Sequence, residues 1–402
     1  MGIKMMELKQ LKQLMYQKED ENHLLFEEVS NIIFNHPELG DQEYFSAKYL
    51  TEQIKQLGFS VEMPYKGLET AFRCELGDDE GPCIAFLAEY DALPGYGSNR
   101  KENAHACGHN WIAASTFAAC AALASVKEHF QGKIVFMGTP AEETIGRKID
   151  LVEYGAFDDI DAVYQMHLGL ETVIDCKALA VTDFYFTFEG LASHASGCPE
   201  KGINALDAVT LTFAGINALR QHTKPDVKIH GIIIEGGQAA NIVPDHCVMH
   251  VMIRAADKNY LEEVVDKVCN CAKGAELMTG AKLTMKRARN TFYDLKNNEV
   301  MMNMMKEDLA EQGITDIDKE EVYTAGSTDI GNVGYASPTC YVELGTKKMG
   351  PHTPHDAAYL DIVNSNYSYQ LLHKGAKAMA AGALAIFCSK EIREQVREKR
   401  NQ

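Results

Sequence analysis

Positive charge is scarce in this chain. The sequence has 39 lysine and arginine residues against 57 aspartate and glutamate residues, a formal net charge of -18 at pH 7. Binding a polyanion requires clustered cations, so we expect no nucleic acid among the partners of this protein. A local cationic patch can still lie on an acidic protein, and the net charge therefore does not identify a substrate.

Long hydrophobic runs and a regular cysteine pattern are also missing. The most apolar stretch, residues 111–126, is short and rich in alanine and serine, and residues 1–20 mix apolar with charged side chains. Neither stretch predicts a membrane span or a secretion signal. The 11 cysteines are irregularly spaced, which is typical of reduced thiols. We therefore expect a soluble, cytoplasmic protein with no membrane partner.

The length of 402 residues exceeds what one compact core usually holds and predicts two domains. Short apolar runs without strict alternation predict buried strands at residues 83–88, 133–137, 162–166 and 340–344. A helical pattern at residues 111–129 separates the first two strands. Strands that alternate with helices predict an α/β fold with a mostly parallel sheet covered by helices.

The middle of the chain has a different pattern. Strand patterns at residues 184–189, 229–234, 247–254 and 282–287 and helical patterns at residues 203–221 and 259–278 follow in the order β-α-β-β-α-β. That order predicts an α+β, ferredoxin-like unit with an antiparallel sheet. We therefore predict an inserted domain at residues 181–291, inside a catalytic domain formed by residues 1–180 and 292–402.

Carboxylates and imidazoles follow the predicted strands of the parallel sheet. They are Glu89, Asp91, Glu142, Glu143, His167, His352 and His355. Ligands bind beyond the carboxyl ends of the strands in an open α/β sheet, so we expect these side chains to converge at one edge.

The most specific local signal is Cys107-x-His109, just before the long helix. A thiolate and an imidazole are good ligands for a borderline-soft divalent ion. Taken alone, such a pair is more often a buried structural cysteine beside a surface histidine, but the carboxylates nearby favour a metal site. In the pair Glu142-Glu143, one carboxylate can bind metal while the other takes a proton from a metal-activated water. The alternative for that pair is a solvated acidic loop.

Together these residues carry a family resemblance. The ordered strings are AEYDALPG, HACGHN, TPAEE, GAFDDIDAVYQMHLG, SHAS, NIVPD, AGSTDIGNV and HTP. They resemble the aminoacylase and carboxypeptidase-type metallopeptidases, peptidase family M-20, and within it the amidohydrolase subfamily. The resemblance implies a zinc-peptidase-like catalytic domain and an inserted lid and dimerisation domain in a homodimer. It also implies two divalent metal ions per subunit, Zn or Mn, that cleave an amide bond of a small carboxylate-bearing substrate.

The resemblance further implies individual roles. The metal ligands would be Cys107 as a bridging thiolate with His109, Glu143, His167 and His352. Glu142 would be the general base, and Asp91 would orient a ligand imidazole. His194 would stabilise the oxyanion across the dimer. Asn241 and Arg254 would hold the carboxylate of the substrate.

Some positions depart from the common subfamily pattern, namely Glu89-Tyr90, Asn110 and Thr328-Asp329. These variants resemble the aminobenzoyl-glutamate hydrolase branch and the branch that cleaves β-alanyl-lysine-type dipeptides. They leave the substrate open, as they leave open the choice between Zn and Mn. The terminal ligand is also open between His352, which begins a His-x-Pro string, and His355.

Two other functions compete with a metallo-amidohydrolase. The chain could be a non-catalytic small-molecule-binding homologue that kept the fold and lost the metal, yet every expected ligand and the base are present. It could also be a thiol hydrolase with Cys107 as nucleophile, but His109 lies only two residues away, which is poor geometry for a paired base.

Overall fold

The computed structural model describes residues 7–97, 101–319 and 326–399. These residues form two compact units. The first unit contains the described residues of Met1–Cys176, Lys296–Glu320 and Asn332–Gln402, and the second contains those of Lys177–Leu295 and Glu321–Gly331.

The predicted inserted segment, residues 181–291, lies within the second unit. The sequence pattern predicts residues 326–331 in the catalytic domain, but they belong to the second unit. A backbone hydrogen bond of 2.8 Å from Leu179 N to the Gly326 carbonyl ties this distant segment to it. Such a return of the chain leaves no periodic signal in the sequence.

The first unit is built on a six-stranded sheet. Its strands are β1 (Ser60–Glu62), β2 (Phe72–Gly77), β3 (Cys83–Ala88), β4 (Lys133–Gly138), β5 (Ala162–Gly169) and β10 (Thr339–Gly345). They lie in the order β1-β2-β4-β3-β5-β10, and the four predicted strands β3, β4, β5 and β10 are parallel. The mostly parallel sheet is therefore confirmed. The antiparallel strands β1 and β2 at one edge were not predicted, because their residues mix polar and apolar side chains.

Helices cover this sheet. Those that precede and follow the inserted segment are α1 (Leu8–Glu21), α2 (His23–Phe34), α3 (Tyr44–Lys55), α4 (His109–Ala124), α5 (Arg147–Glu153), α8 (Glu299–Glu311), α9 (Ile330–Ala336), α10 (Leu360–Val363), α11 (Asn366–Cys388) and α12 (Lys390–Glu398). The predicted helix at residues 111–129 thus starts earlier and ends earlier, and a short 3-10 turn, Lys127–His129, follows it. Almost every residue of α4 is buried, which explains its alanine-rich, weakly amphipathic sequence.

Helix α11 packs closely on the sheet. A Cβ atom built on Gly375 would lie 2.4 Å from Met166 Sδ, so a larger residue there would clash with β5. By length and composition α11 is the one described helix that could cross a membrane, but 83% of its most apolar window is buried inside the protein. Buried core helices of soluble proteins share these properties.

The second unit has the predicted β-α-β-β-α-β order. Its elements are β6 (Ala180–Glu189), α6 (Ala205–Leu219), β7 (Lys228–Glu235), β8 (His246–Ala255), α7 (Lys258–Thr279) and β9 (Lys282–Arg287). The strands pair antiparallel in the order β7-β8-β6-β9. In β8 buried and half-buried residues alternate along the strand, as expected for a sheet with helices on one face. The ferredoxin-like arrangement is therefore confirmed.

The N-terminal helix α1 is anchored to α11 by a buried acidic residue. The Glu19 carboxylate is fully buried and lies 2.7 Å from His373 Nδ1 and 3.3 Å from Lys377 Nζ. Burial by itself would lower the pKa of His373, but hydrogen bonds and charge from Glu19 and Glu27 raise it. The imidazolium form therefore belongs to the folded state.

We predict that Glu19→Gln lowers the free energy of unfolding by about 2–4 kcal/mol at about pH 6, because it leaves buried cations without their counter-ion. The contribution of His373 is complete below its unfolded pKa and is lost as the pH rises through its raised folded pKa. The deficit should therefore shrink at about pH 9. Urea denaturation at both pH values measures it.

The exposed Glu28 on the neighbouring helix provides the matched control. Glu28→Gln should change stability by less than about 0.5 kcal/mol. Equal stability of the Glu19→Gln variant and the wild type at the lower pH would contradict this assignment.

Candidate metal centre

The Cys107-x-His109 pair lies at the start of α4. Cys107 is in the turn before the helix, and His109 is the first helical residue. Gly108 between them has a φ of 87°, in the left-handed region that glycine adopts without steric cost. Both flanking side chains are buried, so a thiol and an imidazole lie close together in a dry pocket.

Asp91, two residues after Glu89 at the end of β3, orients His109. Its Oδ1 atom lies 2.7 Å from His109 Nδ1. A carboxylate accepts, so Nδ1 carries the hydrogen and Nε2 presents a lone pair. The other oxygen, Oδ2, accepts a hydrogen bond of 2.9 Å from the backbone N–H of Glu143. One carboxylate therefore positions both an imidazole and the acidic loop after β4.

That loop has a strained backbone. Ala141 has a φ of 57°, which is uncommon for a residue with a Cβ atom. Its N–H donates a 2.8 Å hydrogen bond to Oε1 of Glu43, whose Oε2 accepts a 2.9 Å bond from the Thr70 hydroxyl. Burial, together with the charge of Asp91, raises the pKa of Glu43 to about 8. Glu43 was missed from the sequence because no local pattern marks it.

Glu143 carries a buried oxygen atom that suits a cation. Its Oε1 lies 3.0 Å from His355 Nε2 and 3.8 Å from His109 Nε2. Within the described residues this oxygen makes no hydrogen bond. Buried polar atoms rarely lack a partner, and a ring of imidazole nitrogens around an orphaned carboxylate oxygen is what a metal ion needs.

The structure brings His355, not His352, to this cluster. The backbone N–H of His355 donates a 3.0 Å hydrogen bond to the Ala106 carbonyl, and its φ of 70° is left-handed. His352 instead pairs with Asp356 at 3.1 Å, where both side chains are exposed. The choice of His352 as terminal ligand is therefore corrected. The His-x-Pro string does not reveal that the backbone reverses at His355.

His167 lies near the carboxyl end of β5. Its Nδ1 donates to the carbonyl oxygen of Leu168 at 2.5 Å, which leaves Nε2 as an acceptor 3.5 Å from Cys107 Sγ. Burial, reinforced by His109, lowers the pKa of His167. A neutral imidazole with its lone pair toward the thiol is the form that binds metal.

Cys107 belongs to two groups of donors. One contains Cys107, His109 and His167, the other Cys107, Glu143 and His355, and the donor atoms of each group lie within 4.8 Å of one another. Burial raises the pKa of the Cys107 thiol well above its usual range. A thiolate here therefore needs a cation beside it. The residues fit two divalent ions that share the sulfur.

Glu142 lies beside these donors. One of its carboxylate oxygens is within 4.8 Å of donor atoms of His109 and Glu143. Adjacent residues on one loop thus supply a candidate ligand, Glu143, and a second carboxylate that is part of neither Cys107 group.

The second unit contains the remaining predicted residues. His194 is exposed, and its Nδ1 accepts hydrogen bonds from the backbone N–H groups of Ser196 at 3.3 Å and Gly197 at 3.2 Å. Its Nε2 therefore carries the hydrogen and can donate outward. A backbone bond of 3.0 Å from Ala195 N to the Asn241 carbonyl joins the loops of His194 and Asn241.

Arg254 lies at the end of β8 and donates a 2.7 Å hydrogen bond to the Ser327 hydroxyl. Across the described residues no carboxylate lies within ion-pair distance of its guanidinium. Burial and the nearby Arg289 lower its pKa. An incoming carboxylate would relieve this uncompensated charge.

Sequence comparisons extend these observations. A family model described as Peptidase family M20/M25/M40 matches residues 85–385. The Xaa-Arg dipeptidase of Mus musculus is 33% identical over 98% of this chain and 93% of its own length. One of the p-aminobenzoyl-glutamate hydrolase polypeptides of Escherichia coli K12 is 31% identical over 74% of this chain and 64% of its own length.

A structural comparison agrees with them in fold. The YXEP protein of Bacillus subtilis, described as a dinuclear metal binding peptidase from the M20 family, superposes with a TM-score of 0.66 and 21% identity. The match covers 89% of this chain and 98% of that protein. With the family model spanning most of the chain and a relative similar along nearly its whole length, this protein belongs to peptidase family M20/M25/M40.

Proposed function

We propose that this protein is a dinuclear metal-dependent amidohydrolase that cleaves the amide bond of a dipeptide or a similar small carboxylate-bearing amide. The single observation that carries the proposal is the pair of donor groups that share Cys107. Divalent cations at such a centre supply Lewis acidity toward the scissile carbonyl and an acidified water. Either Zn or Mn suits the mixture of sulfur, nitrogen and oxygen donors.

The residues of the chain perform the other parts of the reaction. Glu142, which lies beside the donors, accepts a proton from the attacking water and passes it to the leaving amine. Cys107, His109, Glu143, His167 and His355 hold the ions. Arg254 and Asn241 hold the substrate carboxylate, and His194 donates from Nε2 to the oxygen of the tetrahedral species.

The names of the relatives support a choice among substrates. The mouse relative, which matches nearly the full length of this chain, is an Xaa-Arg dipeptidase, and the Escherichia coli relative is part of a p-aminobenzoyl-glutamate hydrolase. Both kinds of substrate carry a carboxylate next to the scissile amide. We therefore propose a dipeptide with a basic C-terminal residue first and aminobenzoyl-glutamate second.

A thiol hydrolase is disfavoured by the pocket. The Cys107 thiol is buried and its pKa is raised well above its usual range, first of all by burial. A nucleophilic cysteine needs the opposite shift.

The free thiols support a cytoplasmic location. Each of the 11 cysteines is unpaired, and most of them are buried. Thiols persist in reducing compartments. We therefore propose that the protein works in the cytoplasm.

We predict that Glu142→Gln lowers kcat by about 10²–10⁴-fold, because the amide cannot accept a proton. The assay is hydrolysis by metal-loaded protein of a panel: an Xaa-Arg dipeptide, β-alanyl-lysine, aminobenzoyl-glutamate, an indoleacetyl-amino acid and an N-acetyl amino acid. Metal content should be unchanged.

Glu153→Gln, an exposed glutamate at the end of α5, is the matched control and should retain full activity. Full turnover by Glu142→Gln would remove Glu142 as the base. No turnover of any panel member by the wild type would argue against an amidohydrolase of these substrates.

The shared sulfur generates a prediction on metal binding. Cys107→Ser should bind both ions far more weakly, by at least about 100-fold, because each donor group loses a member and the harder oxygen suits Zn poorly. Isothermal titration calorimetry and metal analysis after gel filtration measure affinity and stoichiometry. Cys120→Ser, a fully buried cysteine elsewhere in α4, is the control.

The same titration has a pH dependence. Burial raises the pKa of Cys107, so the metal-free protein holds a thiol proton that must leave when an ion binds. Affinity should therefore rise with pH, and buffers of different ionisation enthalpy should reveal the released proton. Two ions bound by Cys107→Ser at wild-type affinity would exclude the shared-sulfur arrangement.

We also propose that the protein is a homodimer formed through the second unit. Strand β7 is at the edge of the four-stranded sheet and exposes Ile232 at 62%, Ile233 at 43% and Ile234 at 47%. An exposed apolar edge strand is a template for pairing with another chain. A second copy would cover it, and His194 would then serve the site of the other protomer.

Mixing inactive variants tests the role of His194 between protomers. His194→Ala and Glu142→Ala should each be inactive, and refolding them together should restore about a quarter of wild-type activity. Random exchange gives half heterodimers, each with one intact site. Sedimentation equilibrium verifies the dimer.

Glu142→Ala mixed with Cys107→Ala is the control and should stay inactive, because both residues belong to the site of the same protomer. A monomer with full activity, or no recovery in the first mixture, would refute the role in trans.

A further inference from the structure

A fully buried lysine lies next to the metal centre. Lys148 in α5 has no solvent exposure, and its Nζ lies 2.5 Å from Oε1 of Glu89. Gln165 Nε2 donates to the same oxygen at 2.6 Å. All three side chains are buried. Burying a charge in the core is costly, so a chain that keeps one there holds its partner firmly in place.

The other oxygen of Glu89 faces the proposed metal-binding atom of His109. Oε2 lies 3.5 Å from His109 Nε2. Because Asp91 takes the hydrogen on Nδ1, the Nε2 atom presents a lone pair to this carboxylate oxygen. Two lone pairs that face each other in a dry pocket repel unless a cation lies between them.

The separation suits a shared ion. Zinc lies about 2.0–2.2 Å from nitrogen and oxygen ligands, so two such bonds add to about 4.0–4.4 Å. The observed 3.5 Å is below that sum, and one ion can therefore contact both atoms. Lys148 and Gln165 occupy Oε1, which leaves Oε2 as the oxygen directed to His109.

We propose that Glu89 is an additional oxygen donor of the centre, to the ion held by His109, and that Lys148 is the positioning residue that clamps Glu89 for this task. The proposal rests on the proposed function, since it needs an ion at His109. It adds a donor to the set that the family resemblance implies, and it gives the buried cation of α5 a function. Lys148 touches neither substrate nor ion and acts only through Glu89.

A purely structural ion pair is the competing explanation. In that case the pair could be replaced by neutral side chains of similar size with no effect on metal binding. The double variant Glu89→Gln/Lys148→Met removes both charges together and leaves no unpaired ion in the core. The matched control is Lys12→Met/Asp308→Asn, which removes a 2.5 Å ion pair between α1 and α8.

The experiment measures metal binding itself. The metal-free variants are titrated with Co²⁺ and Zn²⁺ by calorimetry, and the visible spectrum of bound Co²⁺ reports the coordination of each ion. We expect the Glu89→Gln/Lys148→Met variant to bind one of the two ions at least about 10–100-fold more weakly, with a changed Co²⁺ spectrum. The control pair should leave both affinities and the spectrum unchanged.

Unchanged affinity and spectrum in the Glu89 variant would overturn the proposal while the proposed function stands. If the wild type itself binds no ion, the proposed function fails as well, so the two failures are distinguishable. Should the double variant not fold, Glu89→Asp serves instead: it retracts the carboxylate by one carbon. Weaker binding of one ion supports the donor role, and wild-type binding overturns it.

Discussion

Two hydrogen bonds to the carboxylate of Asp91 connect the parts of the candidate centre. One oxygen sets the ring of His109 and the other holds the backbone of Glu143, so residues from the start of α4 and the loop after β4 share one anchor. Without it the imidazole could rotate and the acidic loop could move away. The strand end that carries Asp91 is buried in the sheet, which makes the anchor rigid.

The centre is built on strained backbone that the surrounding fold maintains. Ala141 and His355 both have left-handed φ angles, each costing about 1–3 kcal/mol. Glu43 holds the first through its N–H, and the Ala106 carbonyl holds the second. Each strained residue lies at or next to a donor of the cluster. The fold thus stores the geometry of the donors before an ion arrives, which lowers the cost of binding it.

Much of this architecture could be predicted because it depends on local patterns. The buried strands β3, β4, β5 and β10 are apolar runs, and the β-α-β-β-α-β order is written in hydrophobic periodicity. Polar residues that follow parallel strands must meet at one edge, which is why Glu143 and His167 could be placed together. The choice between His352 and His355 was wrong, because it depends on the backbone reversal at His355, and no motif encodes that torsion.

The sequence alone determined the chemical inventory: a thiol, imidazoles and carboxylates placed at the ends of strands, and a second unit of different topology. Only the tertiary structure decided which atoms face one another. Glu43 and Lys148 are ordinary residues in the sequence, yet one supports Ala141 and the other clamps Glu89. Their roles arise from contacts between residues 59 and 98 positions apart in the chain. Periodicity reports the face on which a side chain lies, whereas hydrogen-bond partners across such distances depend on packing that the whole chain sets.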